Sequence, residues 1–107
     1  MLYICNAFSL QMLNLEKEQN IHLQPLTVEE VKERLKEESF VSAIGHEDTA
    51  NVLSNMLGVK IEKNRMNLSL TEKDSLIVAQ LTGGRLPEGS TTLPEGFEFE
   101  FVKVTLL

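Results

Sequence analysis

The chain has 107 residues, of which 42% are hydrophobic and 24% charged, with a net charge of −6. Length and balance together describe one folded domain and exclude a disordered chain. The acidic excess excludes a protein that coats long DNA or RNA, because such binding draws on many Lys and Arg contacts to phosphate; a compact pocket for a small nucleotide stays open.

Leu2–Cys5 is a short apolar run and predicts a buried first strand. The residues after it mix polar and apolar side chains at helical spacing, with Ser9 able to cap a short turn. Asn14–Asn20 reads as a loop. Ile21–Leu26 alternates and predicts a strand, which Pro25 consigns to an edge or an end. Thr27-Val28-Glu29-Glu30 fits a capping box opening an amphipathic helix over Val28–Glu38. Phe40–Ile44 is a further short apolar stretch.

A second helix is expected from the Gly45-His46-Glu47-Asp48-Thr49 segment through Leu57. Ala50, Leu53, Met56 and Leu57 form its buried face, and Gly58 stands where a left-handed cap belongs. Val59–Ile61, Met66–Leu70 and Ser75–Leu81 predict strands. Gly83–Gly89 is a Gly-rich loop, Thr91–Gly96 a second one, and Phe97–Leu106 a closing strand in which Phe97, Phe99 and Phe101 alternate with Glu98 and Glu100. The fold class is α+β, a mixed or antiparallel sheet with two main helices.

Cys5 is the only cysteine, so no internal disulfide forms. No basic segment precedes a long apolar run, and no apolar run approaches the roughly 20 residues of a membrane span. The expectation is a cytoplasmic protein without membrane association.

No GxxxxGK[ST], GxGxxG, HExxH or GxSxG pattern occurs, so neither a metal site nor a cofactor is expected. His46 is the leading candidate for chemistry. It sits at a helix start, where unpaired amides and the dipole attract phosphate, and Gly45 would let a ligand approach the backbone closely. From position alone, an ordinary helix-start residue is the favoured role. Arg85 and Glu88 share the Gly-rich loop and could face one pocket, or simply solvent. Arg65 lies in a basic turn, Lys63-Asn64-Arg65. His22 reads as a surface or structural residue.

Asn6-Ala7-Phe8-Ser9, Ala43-Ile44-Gly45-His46 with Thr49, Lys63-Asn64-Arg65, and Arg85-Leu86-Pro87-Glu88-Gly89 resemble, in the same order, segments of the viral ring nucleases. These are anti-CRISPR proteins of archaeal viruses and phages, with bacterial relatives. The resemblance spans residues 2–89 and the final strand. The segment after Glu88 departs from it, being a loop where some members carry a helix. It implies a homodimer that binds cyclic tetra-adenylate across its two-fold axis and cleaves it to linear di-adenylate ending in a 2′,3′-cyclic phosphate. The substrate 2′-hydroxyl would be the nucleophile and no metal would be needed. His46 would act as general acid, Arg85 would clamp phosphate, and Glu88 would position His46 or the 2′-hydroxyl. Asn6, Ser9, Gln11, Gly45, Thr49, Arg65 and Gln80 would contact the ligand. Loss of this second messenger would silence type III CRISPR signalling. The alternative is a protein that binds the ring without cleaving it.

Overall fold

A computed structural model describes residues 1–107. It contains five strands in one sheet, β1 (Leu2–Cys5), β2 (Ile21–Leu26), β3 (Phe40–Ser42), β4 (Ser75–Thr82) and β5 (Glu98–Leu106). Two α-helices, α1 (Val28–Glu37) and α2 (Glu47–Leu57), and a 3-10 turn over Leu10–Met12 complete it. The strand order is β2-β5-β4-β1-β3. β1 pairs in parallel with β3 and β4, whereas β5 is antiparallel to both β4 and β2. The sheet is therefore mixed, in a single α+β domain.

Strand periodicity divides the core into two layers. Leu2, Ile4, Ile77, Ala79 and Phe101 face the helices and meet Val31, Leu35, Ala50, Leu53 and Leu57. Cys5, Leu76, Val78, Val104 and Leu106 face the other way. No helix covers that second face. Phe8, Met12 and Leu13 pack on it together with Leu68 and Leu70, whose segment bonds to the Met12 carbonyl.

The helix ends follow from their caps. The Thr27 hydroxyl accepts from the Glu30 N–H, and the Glu30 carboxylate accepts from the Thr27 N–H, closing the expected capping box. Those contacts, the Thr27 backbone N–H foremost, hold the Glu30 carboxyl below its ordinary range. α1 stops at Glu37, one residue earlier than expected, with Glu38 as its cap. Gly58 ends α2 with φ 68°.

Two expected strands are absent. Val59–Ile61 and Met66–Leu70 are irregular, and only Lys63 between them forms an isolated bridge, with Ile44. Ile61 is buried, but a helix side chain satisfies its backbone: Ser54 Oγ accepts from the Ile61 N–H at 2.8 Å and turns its proton toward the Ala50 carbonyl at 2.7 Å. Leu68 and Leu70 are buried between exposed neighbours as strand residues would be. The Leu70 N–H nevertheless donates to the Met12 carbonyl rather than to a strand. Alternation reports a half-buried segment, not a ladder partner. The remaining differences are at element ends: β3 stops at Ser42, β4 runs on to Thr82 and β5 starts at Glu98.

Ser54→Ala removes the acceptor of a largely enclosed amide, which should cost about 1–3 kcal/mol. Urea unfolding would register this as a lower midpoint with an unchanged slope. An unchanged midpoint would show that water replaces the hydroxyl at no cost.

Candidate functional site

Because β1, β3 and β4 are parallel, their carboxyl ends share one edge of the sheet, where ligands gather in α/β folds. Asn6 follows β1, Gly45 and His46 follow β3, and Gly84 and Arg85 follow β4. There, His46, Thr49, Arg85 and Glu88 line a single open cleft of about 670 Å³ together with Asp48, Leu81, Gly84 and Leu86. This volume falls within the roughly 300–1,000 Å³ of small-molecule sites.

His46 is the N-cap residue of α2, with extended backbone (φ −119°, ψ 130°). Its carbonyl accepts the first helical bond, from the Ala50 N–H, while its side chain makes no capping bond. The imidazole is thus exposed and uncommitted at the rim of the cleft. The amides of Glu47, Asp48 and Thr49 precede that first bond and point out of the helix start, as anion-binding amides do. Arg65 lies against Gly45, where an added Cβ would stand 3.3 Å from its Nε. Two guanidinium groups thereby flank the Gly45-His46 corner, Arg85 in the cleft and Arg65 behind it. Neither takes part in an ion pair, and Glu88 forms none with His46.

Not every predicted ligand residue reaches this cleft. Ser9 and Gln11 line a separate hollow of about 330 Å³ with Met12, Met66, Asn67 and Leu68. Gln80 is exposed and alternates with Leu81, so it points from the face of the sheet opposite the cleft. Asn6 is half-buried beside the strand end without lining the cleft. Asp48 is the cleft residue that sequence reasoning missed. An acid in the first turn of a helix is explained by the dipole alone, which conceals a second role. Its carboxylate accepts from the Gly89 N–H at 3.2 Å and so ties the Gly-rich loop to α2.

Cys5 is not part of the site. Burial pushes its thiol up to about 11, so the reactive thiolate is scarce at neutral pH. No three His, Cys, Asp or Glu side chains come close enough together to hold a metal ion.

The chain has relatives among virus proteins. Residues 2–105 match the STIV B116-like family, and the chain belongs to it. It is 46% identical over 89 residues to protein 26 of Sulfolobus islandicus filamentous virus (isolate Iceland/Hveragerdi), covering 83% of this chain and 74% of that one. It is 35% identical over 89 residues to protein ORF117 of Acidianus two-tailed virus, covering 76% of this chain and 75% of that one. The solved structure of B116 of Sulfolobus turreted icosahedral virus superposes with a TM-score of 0.80 at 27% identity, over 97% of both chains.

These matches correct the family drawn from the four short segments: the matching family model is that of STIV B116-like proteins, not one of ring nucleases. The segments are loops and helix starts at the same end of the molecule. Their order follows from the order of β1, β3, α2 and β4, so it reports the topology and does not single out a family.

The loop that carries Arg85 and Glu88 is pinched at its base. A Cβ on Gly83, at φ 105°, would stand 2.6 Å from the Gly96 carbonyl oxygen and 2.9 Å from Phe97 Cα. Gly89, at φ 80°, has open space around it. Gly83→Ala should therefore cost about 1–3 kcal/mol or more, and clearly more than Gly89→Ala, in paired thermal unfolding curves. Equal costs would show that the neck relaxes freely.

Proposed function

We propose that the protein is a metal-independent phosphodiesterase that binds cyclic tetra-adenylate and cleaves it to linear di-adenylate. The observation that carries this reading is the single cleft that gathers His46, Thr49, Arg85 and Glu88 at the start of α2. Anionic oxygens would meet the free amides of the helix start and the Arg85 guanidinium, with Arg65 approaching from the Gly45 side.

RNA supplies its own nucleophile, so the site needs neither a metal nor a covalent intermediate. The 2′-oxygen attacks the adjacent phosphorus in line, the bond from phosphorus to the 5′-oxygen breaks, and a 2′,3′-cyclic phosphate remains. The proton of the 2′-hydroxyl leaves to solvent or to Glu88. His46 delivers a proton to the departing 5′-oxygen, a poor leaving group as an alkoxide. General acid catalysis of this kind contributes about 10²–10⁴-fold.

The cleft suits part of a four-nucleotide ring rather than all of it, and one copy offers it a single lining cation, Arg85. Both features support a reading in which two copies share one ring across a two-fold axis, each acting on one of two opposite phosphodiesters. β2 also leaves Leu23 60% exposed and Ile21 37% exposed, apolar surface that association would cover. Since the relatives are virus proteins, destruction of the messenger would act against type III CRISPR defence inside an infected cell.

His46→Ala should keep its affinity for cyclic tetra-adenylate while single-turnover cleavage falls by about 10²–10⁴-fold. Arg85→Ala should weaken binding by roughly 10-fold or more, the scale of a charge-assisted hydrogen bond. Cleavage by His46→Ala at the wild-type rate would remove the assigned acid. Tight binding with an intact ring after long incubation of the wild type would make the protein a sequestering binder.

A further inference from the structure

Asp48 and Asn55 stand two helical turns apart on α2 and reach the same loop. Asp48 Oδ2 accepts from the Gly89 N–H at 3.2 Å, and Asn55 Nδ2 donates to the Thr91 carbonyl at 2.6 Å. Residues 83–96 leave and rejoin the sheet through a glycine neck. Gly83, Gly84 and Gly96 have φ of 105°, 137° and 85°, and the Gly83 backbone lies too close to Gly96 for any side chain. Such a loop, with its ends together and its body outside the sheet, is free to swing as a unit unless something fastens it. The two α2 side chains fasten it beyond Arg85 and Glu88, Asp48 in the first turn of the helix beside His46 and Asn55 near its other end.

We propose that Asp48 is a positioning residue of this site. Its carboxylate latches the Gly83–Gly96 loop to α2 so that Arg85 and Glu88 face His46, and Asn55 is the second point of the latch. The role gives this first-turn acid a partner in addition to the helix dipole. Asp48 lines a cleft read here as a phosphate site, where a free carboxylate would repel the ligand. The Gly89 amide that it holds gives the carboxylate a structural use that offsets this cost. Releasing the latch would leave Arg85 and His46 intact but no longer in register, and a misplacement near 1 Å can cost about 10²-fold in rate.

The kinetic part rests on the phosphodiesterase reading above; the latch itself does not. The test therefore has two arms on the full chain. Amide hydrogen exchange, with no ligand present, should show faster exchange at Gly89 and its loop neighbours in Asp48→Ala, by several-fold for the loss of one exposed hydrogen bond. Asp48→Asn, whose amide oxygen can still accept, should restore protection, and Asn55→Ala should loosen the loop independently of the first helical turn. With cyclic tetra-adenylate as the probe, Asp48→Ala should lose about 10- to 100-fold in kcat, with its melting temperature near that of the wild type and Asp48→Asn rescuing the rate.

Unchanged exchange at Gly89 in Asp48→Ala overturns the latch. Faster exchange with unchanged kcat overturns the positioning role, as does a rate loss that tracks melting temperature and is not rescued by Asn. A wild type that neither binds nor cleaves the probe overturns the functional reading and the kinetic role with it, and exchange alone then decides the latch.

Discussion

β1 is four residues long, yet it pairs on both edges and is buried on both faces: Ile4 toward the helices, Cys5 toward the opposite layer. A one-residue slip would exchange Ile4 and Cys5 between two packed layers, so both layers fix its register. With β1 held in place, β3 and β4 must run beside it in the same direction. Everything that follows these strands then leaves the sheet at one edge. Asn6, the Gly45-His46 corner and the Arg85 loop are neighbours in space for that reason, although they are far apart along the chain.

The cleft at that edge depends on two further constraints of different kinds. One is the start of α2, whose unpaired amides give a positive rim without a charged side chain. The other is the glycine neck of residues 83–96, which sets a long loop over the helix start at the cost of backbone strain at Gly83. Neither makes the cleft alone. Their conjunction puts an uncommitted imidazole, a guanidinium and a carboxylate around one volume, the groups that the proposed reaction would use.

Much of the fold was legible in the sequence. The capping box at Thr27, the helical spacing of Val31 and Leu35, the αL glycine at position 58 and the alternating Phe residues of β5 are local signals, and each element formed where its signal lay. The segments 59–61 and 66–70 were misread because a strand needs a partner, which no local pattern supplies. Ser54 and the Met12 carbonyl satisfy those backbones instead. At the site, His46, Thr49, Arg85 and Glu88 line one cleft, although spacing alone joined only His46 with Thr49 and Arg85 with Glu88. Ser9, Gln11 and Gln80 do not line it, because their placement depends on which face of the sheet a neighbouring residue occupies. Asp48 stayed hidden since its partner, the Gly89 amide, is a backbone group with no sequence signature.

The family assignment shows the same limit. The order of short segments recorded a topology, and the match over residues 2–105 identified the STIV B116-like family. Chemistry has to be argued from the cleft itself. The most direct measurement is the phosphorus NMR spectrum of the products after incubating the wild-type protein with cyclic tetra-adenylate in EDTA. Our account predicts the resonance of a 2′,3′-cyclic phosphate on a linear di-adenylate, appearing as that of the ring declines. An unchanged ring spectrum, or linear products bearing only ordinary terminal monophosphates from the first turnover, would contradict it.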